Sequence, residues 1–181
     1  MGLFRKSSEE PLAVTMAGVK LGQRLLAVGV RDPKLIAQLA VKAGLTGRTC
    51  VVDDDEARLA AGAAAIEAEG ALVEPTRAPY GMLPFDADAF DVAVIPSLLP
   101  ALAADVRVRS VSEVFRVLRP GGRALIIEPS RRGGFGALLN RTSVDPAYKG
   151  GVALLQDAGF RAVRQLAEAE GVIFVEGIKK G

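Results

Sequence analysis

From Arg24 onward, short runs of β-branched and other apolar residues alternate with amphipathic stretches of helical period. That alternation predicts an open, mainly parallel sheet with helices on both faces. Residues 24–28 form the first strand. Asp32 and Pro33 then start a helix, because an aspartate side chain can accept from free first-turn amides and proline has its φ already set for that turn. The helix runs to about residue 43 and Gly44 stops it. A second strand over 48–53 contains the unbroken apolar run Cys50, Val51 and Val52, which suits a sheet buried on both faces. Asp55 caps an alanine-rich helix that reaches residue 69 and ends at Gly70, followed by a brief third strand over 71–74 and a loop over 75–89.

The second half repeats the pattern. A fourth strand spans 91–95, a helix spans about 105–118, and the Arg119-Pro120-Gly121-Gly122 turn leads into a fifth strand over 123–127. Residues 130–146 read as an irregular loop punctuated by Gly133, Gly134 and Gly136; a loop of that length often serves as a lid. A last helix over 148–158 and Gly159 precede a strand over 160–166. The link Glu168-Ala169-Glu170-Gly171 folds it back as a strand over 172–176. The sheet therefore closes on an antiparallel hairpin, where a plain nucleotide-binding repeat would finish with another crossover helix. Ahead of all this, Leu12, Met16 and Val19 are spaced along one side of a short helix, able to dock over the site or onto a partner.

With 181 residues, half of them apolar, the chain supports one buried core, so residues 1–181 are read as a single domain with an N-terminal extension over 1–20. Lysine and arginine total 23 against 21 acidic residues, interspersed, which predicts no nucleic-acid partner. No apolar stretch is long enough for a transmembrane segment and no secretory leader is recognisable, so the expected location is cytoplasmic. A peripheral membrane contact through Leu3, Phe4, Arg5 and Lys6 is the weaker alternative to a solvated terminus. Cys50 is the only cysteine and sits in an apolar run, as a buried thiol of a reducing compartment would. Histidine is absent, which removes the usual general base and the commonest metal ligand; no metal site is expected and no catalytic residue is assigned.

Four segments, in order, resemble the class I S-adenosylmethionine-dependent methyltransferases, in particular their quinone-biosynthesis and small-molecule branch. They are GQRLLAVGVRDP at 22–33, CVVDDD at 50–55, LPFDADAFDVAVIPSLLPAL at 83–102 and VSEVFRVLRPGGRALIIEPS at 111–130. The last, with its Leu-Arg-Pro-Gly-Gly turn, is the most specific. The resemblance implies a Rossmann-like α/β fold and S-adenosyl-L-methionine as cofactor. It places Gly29 in the family's glycine turn, Asp53 at the ribose-binding acid with Asp54 beside it, Tyr80 and Met82 near the adenine, and Pro96 on the crevice after the fourth strand. The glycine turn is altered: only Gly29 remains of its three glycines, Arg31 and Pro33 stand at the other two, and Ala27 replaces an acid. Arg31 could pair with the cofactor carboxylate in a rebuilt pocket.

These features imply methyl transfer to a small-molecule acceptor. The alternative is a catalytically silent domain of the same fold that serves as a binding or assembly subunit for a protein partner. A nicotinamide-dependent oxidoreductase is a third reading, weakened by the missing glycines and by the terminal hairpin.

Overall fold

The computed structural model describes residues 10–130 and 148–181. A seven-stranded sheet runs in the order β3-β2-β1-β4-β5-β7-β6. Its members are β1 (Arg24–Val28), β2 (Arg48–Asp53), β3 (Glu74–Arg77), β4 (Phe90–Pro96), β5 (Leu118–Pro129), β6 (Arg161–Ala169) and β7 (Val172–Ile178). The first five lie parallel, and β7 runs antiparallel to both β5 and β6. Among the described residues the helices are α1 (Leu12–Ala17), α2 (Pro33–Ala43), α3 (Glu56–Ala68), α4 (Ala104–Val117) and α5 (Gly151–Asp157), with a 3-10 turn at Leu99–Ala101. The Rossmann-like architecture and the closing antiparallel hairpin match the sequence expectation. The turn between β6 and β7 is tighter than expected: Glu170 and Gly171 both have positive φ, 55° and 79°, the form whose twist suits a two-residue hairpin.

Strand alternation divides the core. Leu25, Val92, Val94, Leu125, Ile127 and Phe174 face α1 and α2, while Ala27 and Val51 meet Ile36, Leu59 and Ile66 of α2 and α3. On the opposite face Leu26, Val28, Cys50, Val52, Ile95, Ile126 and Val175 meet Val111 and Val114 of α4, Leu155 of α5 and the segment around Tyr80 and Leu83. The apolar side of α1 is used on the sheet: Val14 and Ala17 are buried there, with Leu12 and Met16 packed alongside. The N-terminal residues 1–9 and the loop expected over 131–147 lie outside the described residues.

Two elements differ from the sequence reading. The third strand starts three residues later than expected and includes Pro75: β3 is an edge strand, paired with β2, and an edge strand tolerates a proline whose nitrogen lacks a hydrogen. The Arg119-Pro120-Gly121-Gly122 turn is not a separate connection. It is a bulge inside β5, whose pairing with β4 jumps from Phe90↔Leu118 to Val92↔Arg123.

Cys50 is fully buried in the central core. Burial pushes its thiol up to about 11, so thiolate is scarce at neutral pH. Native protein at pH 8 is expected to resist a thiol-specific reagent such as dithionitrobenzoate and to react with one equivalent in denaturant. Rapid labelling of the native state would show that this face of the sheet opens readily.

Candidate functional site

The order of the strands creates the site. From β1 the chain moves outward through β2 to β3, then returns to the other side of β1 for β4 and β5, so the topological switch point of the sheet, where ligands of open α/β sheets sit, falls between the carboxyl ends of β1 and β4. Gly29 follows β1, Asp53 ends β2, Pro96, Ser97 and Leu98 follow β4, and Glu128 lies near the end of β5.

At the tip of β1, Gly29 has φ +85° and its amide donates to the Val52 carbonyl at 2.7 Å. An added Cβ would be strained by that φ and would stand 3.2 Å from Leu98 Cδ2. Gly29 is thus required by the turn and by the close approach of Leu98. Val30 is also buried, its side chain seated against the bare backbone of Gly62 in α3. Beyond it Arg31 and Asp32 are exposed. Asp32 caps α2, its Oδ1 accepting from the Leu35 amide at 3.0 Å, and Pro33 occupies the first helical position. Arg31 forms no ion pair among the described residues.

Asp53 is the centre of the site and is fully buried. Its Oδ2 accepts from the Val30 amide at 3.0 Å and its Oδ1 from the Asp55 amide at 3.0 Å. Arg58, one turn into α3, covers both oxygens: Nε lies 2.9 and 3.0 Å from Oδ1 and Oδ2, and Nη2 lies 2.6 Å from Oδ1. Nη2 also pairs with Asp54 at 2.9 Å and reaches the Tyr80 hydroxyl at 3.5 Å. Burial pushes the Asp53 carboxyl up, but the Arg58 guanidinium and the two amides outweigh it and hold the group at about 2. The Tyr80 phenol moves the opposite way, raised first by burial and then by Asp53.

The structure therefore gathers Gly29, Asp53, Asp54 and Tyr80 at the tips of β1 and β2. Tyr80 is a core residue whose hydroxyl edges onto the Asp53–Arg58 pair, while Met82 is 69% exposed and Pro96 is buried at the end of β4. The sequence reading assigns no role to Arg58, although it stands four residues after Asp54, a spacing at which an acid and a base can pair. Leu98, which the resemblance places with Pro96 and Ser97 after the fourth strand, is fully buried and packs against Gly29.

At the end of β5, Glu128 is committed elsewhere. It accepts from the Gly151 amide at 2.9 Å and from the Tyr148 hydroxyl, tying the start of α5 to the sheet. Arg107 lies 4.7 Å from the centroid of the Tyr148 ring and donates to the carbonyls of Leu99 and Leu102. Burial, and then Glu128, raises the Tyr148 phenol, so it is no base at neutral pH. Among the described residues no group of histidine, cysteine and carboxylate ligands could hold a metal ion, and no helix is long and apolar enough to cross a membrane.

A family profile described as a methyltransferase domain matches residues 26–122, more than half of the chain and the span that contains Gly29, Asp53 and the β5 bulge. The chain belongs to the class I S-adenosylmethionine-dependent methyltransferase family. Among relatives, the ubiquinone/menaquinone biosynthesis C-methyltransferase UbiE of Idiomarina loihiensis is 32% identical over 121 residues, 65% of this chain and 47% of that protein. An uncharacterised protein of Haemophilus influenzae is 30% identical over 148 residues, 70% of this chain and 57% of its own length. The methyltransferase domain here thus spans about half the length of the relatives it matches. The fold is shared with an S-adenosylmethionine-dependent methyltransferase of Aquifex aeolicus, at a TM-score of 0.72 and 19% identity over 92% of this chain and 87% of that one. It is shared equally with a methyltransferase from Haloferax volcanii solved in complex with the Trm112 activator, at a TM-score of 0.73 and 17% identity over 93% and 87% of the two chains.

Proposed function

We propose that this domain binds S-adenosyl-L-methionine across the tips of β1 and β2 and directs its methyl group to a small-molecule acceptor, in the cytoplasm. The observation that carries the reading is Asp53: a carboxylate at the end of β2, facing the Gly29–Val30 turn beside the switch point between β1 and β4, where ligands of open α/β sheets sit.

Whether these residues fit the cofactor turns on acceptor capacity. An ionised carboxylate offers about four lone-pair sites. The Val30 and Asp55 amides use two, and the remaining two match the pair of vicinal hydroxyls on a ribose. Those two are held by Arg58, whose side chain is 39% exposed at the rim. With Arg58 withdrawn, Asp53 would hold the ribose, the exposed Arg31 would meet the carboxylate of the methionine portion, and Tyr80 would border the nucleoside.

The bound cofactor supplies a methyl group already activated on a sulfonium, so the protein's tasks are alignment and exclusion of water. That division suits a chain without histidine, in which Glu128 and Tyr148 hold α5. It favours acceptors that ionise readily, an acidic ring carbon or a phenolic hydroxyl, over weakly acidic alcohols.

Calorimetric titration with S-adenosyl-L-methionine, followed by transfer of a labelled methyl group to a panel of quinol and phenol acceptors, tests the reading. Saturable binding with transfer is the expected result. Saturable binding without transfer to any acceptor would remove the catalytic half. No binding at millimolar cofactor to a cooperatively folded protein would leave a silent assembly subunit.

A further inference from the structure

We infer that Arg58 is a latch on the ribose seat, so that nucleoside binding here is a competition between a guanidinium of the chain itself and the vicinal hydroxyls of the ligand. The inference rests on the cofactor reading above and deepens it by naming the residue that sets affinity and entry.

The geometry of the pair makes the competition stoichiometric. Asp53 is completely buried, and among the described residues the side chain that donates to both its oxygens is Arg58, through three contacts between 2.6 and 3.0 Å. The two amide donors belong to the main chain of the β1–α2 turn and of the α3 cap, so they stay in place when a ligand enters. Unlike those amides, Arg58 is a side chain at the rim and can leave. Its departure breaks a charge-assisted, forked interaction, and two neutral hydroxyl donors replace it with weaker bonds.

The surroundings show that the latched state is a defined arrangement. Asp54 takes the outer edge of the same guanidinium at 2.9 Å and the Tyr80 hydroxyl approaches it from the core side at 3.5 Å, so three elements hold the side chain across the seat. Asp54 is half exposed and lies at the rim. It provides a second carboxylate to which the guanidinium stays attached while Asp53 is uncovered, so opening requires a side-chain rotation without separation of the whole ion pair. The helix cap Asp55, which accepts from the Arg58 amide at 2.7 Å, fixes the backbone about which that rotation occurs.

Arg58→Met keeps the aliphatic stem and removes every donor. Binding of S-adenosylhomocysteine is expected to tighten by at least about tenfold relative to wild type, the scale set by one charge-assisted hydrogen bond. The same variant should begin to prefer adenosine to 2′-deoxyadenosine, and Asp53→Asn placed on top of Arg58→Met should abolish both the gain and the preference. Equal affinity of wild type and Arg58→Met would overturn the latch and leave the cofactor reading intact. Weaker binding by the variant would also overturn it, making Arg58 a ligand contact. Absence of binding by wild type, Arg58→Met and Arg58→Ala, all cooperatively folded, would overturn both readings. Should the variants fail to fold, the wild type alone decides: the Arg58 Nε–H resonance, slowed in exchange by Asp53, is expected to lose protection at saturating S-adenosylhomocysteine. Unchanged protection at saturation would overturn the latch.

Discussion

Asp53→Ala is expected to lower the free energy of unfolding by about 3 kcal/mol, because it removes the acceptor that the buried Val30 amide uses and the anchor of the Arg58 fork together. In a domain of this size that is a fall in Tm of roughly 6–12 °C. Asp53→Asn should cost less, since it keeps an acceptor oxygen and the shape of the side chain. The pH dependence separates the charge from the packing. Asp53 has its folded pKa depressed to about 2 from an ordinary 3.8. A depressed carboxylate stabilises the folded state fully above its unfolded pKa and loses that contribution as pH falls through the folded value. Wild type therefore gains about 2 kcal/mol from this group at neutral pH and loses it between about pH 4 and pH 2. Asp91 and Glu113 are also depressed and contribute to acid unfolding in both proteins, so the difference between the wild-type and variant curves isolates Asp53. Urea unfolding from pH 2 to pH 7 measures it; a difference that stays constant across that range would show that the carboxylate is not selectively stabilised by its partners.

Gly122→Ala is expected to destabilise the domain by about 2–4 kcal/mol, with the damage centred on the β5 bulge. A Cβ at this position would lie 2.7 Å from the Arg119 carbonyl oxygen and 3.3 Å from the Asp91 carbonyl oxygen. Both are backbone atoms, so no side-chain rotation relieves the contact. The bulge also pairs with the end of the chain: the Gly121 amide donates to the Lys179 carbonyl at 2.7 Å, and the Lys179 amide donates to Gly122 at 2.9 Å. Lys179 Nζ reaches the Leu118 carbonyl at 2.6 Å from the same strand end. Opening the bulge should therefore release residues beyond β7, seen as faster amide exchange at Gly121 and Lys179 than at Leu125. A variant with unchanged Tm and unchanged exchange would show that the bulge can re-form around a methyl group.

Three positions explain different parts of the family pattern. Gly122 answers to the chain's own backbone and needs no ligand to account for it. Gly29 answers to a left-handed φ and to Leu98, so its retention does not by itself report cofactor binding. Asp53 carries the functional argument by its position at the end of β2, where two main-chain amides leave it acceptor sites that Arg58 fills.

The sequence by itself determined the elements and their order. The boundaries of β1, α2 and β2 follow from local chemistry, apolar runs with Asp32, Pro33 and Gly44 as punctuation, and the Asp55 cap of α3 was legible for the same reason. The order of motifs also carried the family, and with it the position of Asp53. The tertiary structure alone decided which strand lies at the edge, and hence that Pro75 could be part of β3. It decided that α1 packs on the sheet, and that the Arg119–Gly122 turn is a bulge. It also decided the state of the site. The sequence places Tyr80 near an adenine and Asp53 at the ribose; the structure adds that the Tyr80 hydroxyl reaches Arg58 and that Arg58, to which the sequence assigns no role, closes on Asp53. Periodicity reports which face of an element is apolar, while the direction in which a long side chain folds depends on donors brought from distant segments, here the Val30 amide after β1 and the tyrosine hydroxyl before β4.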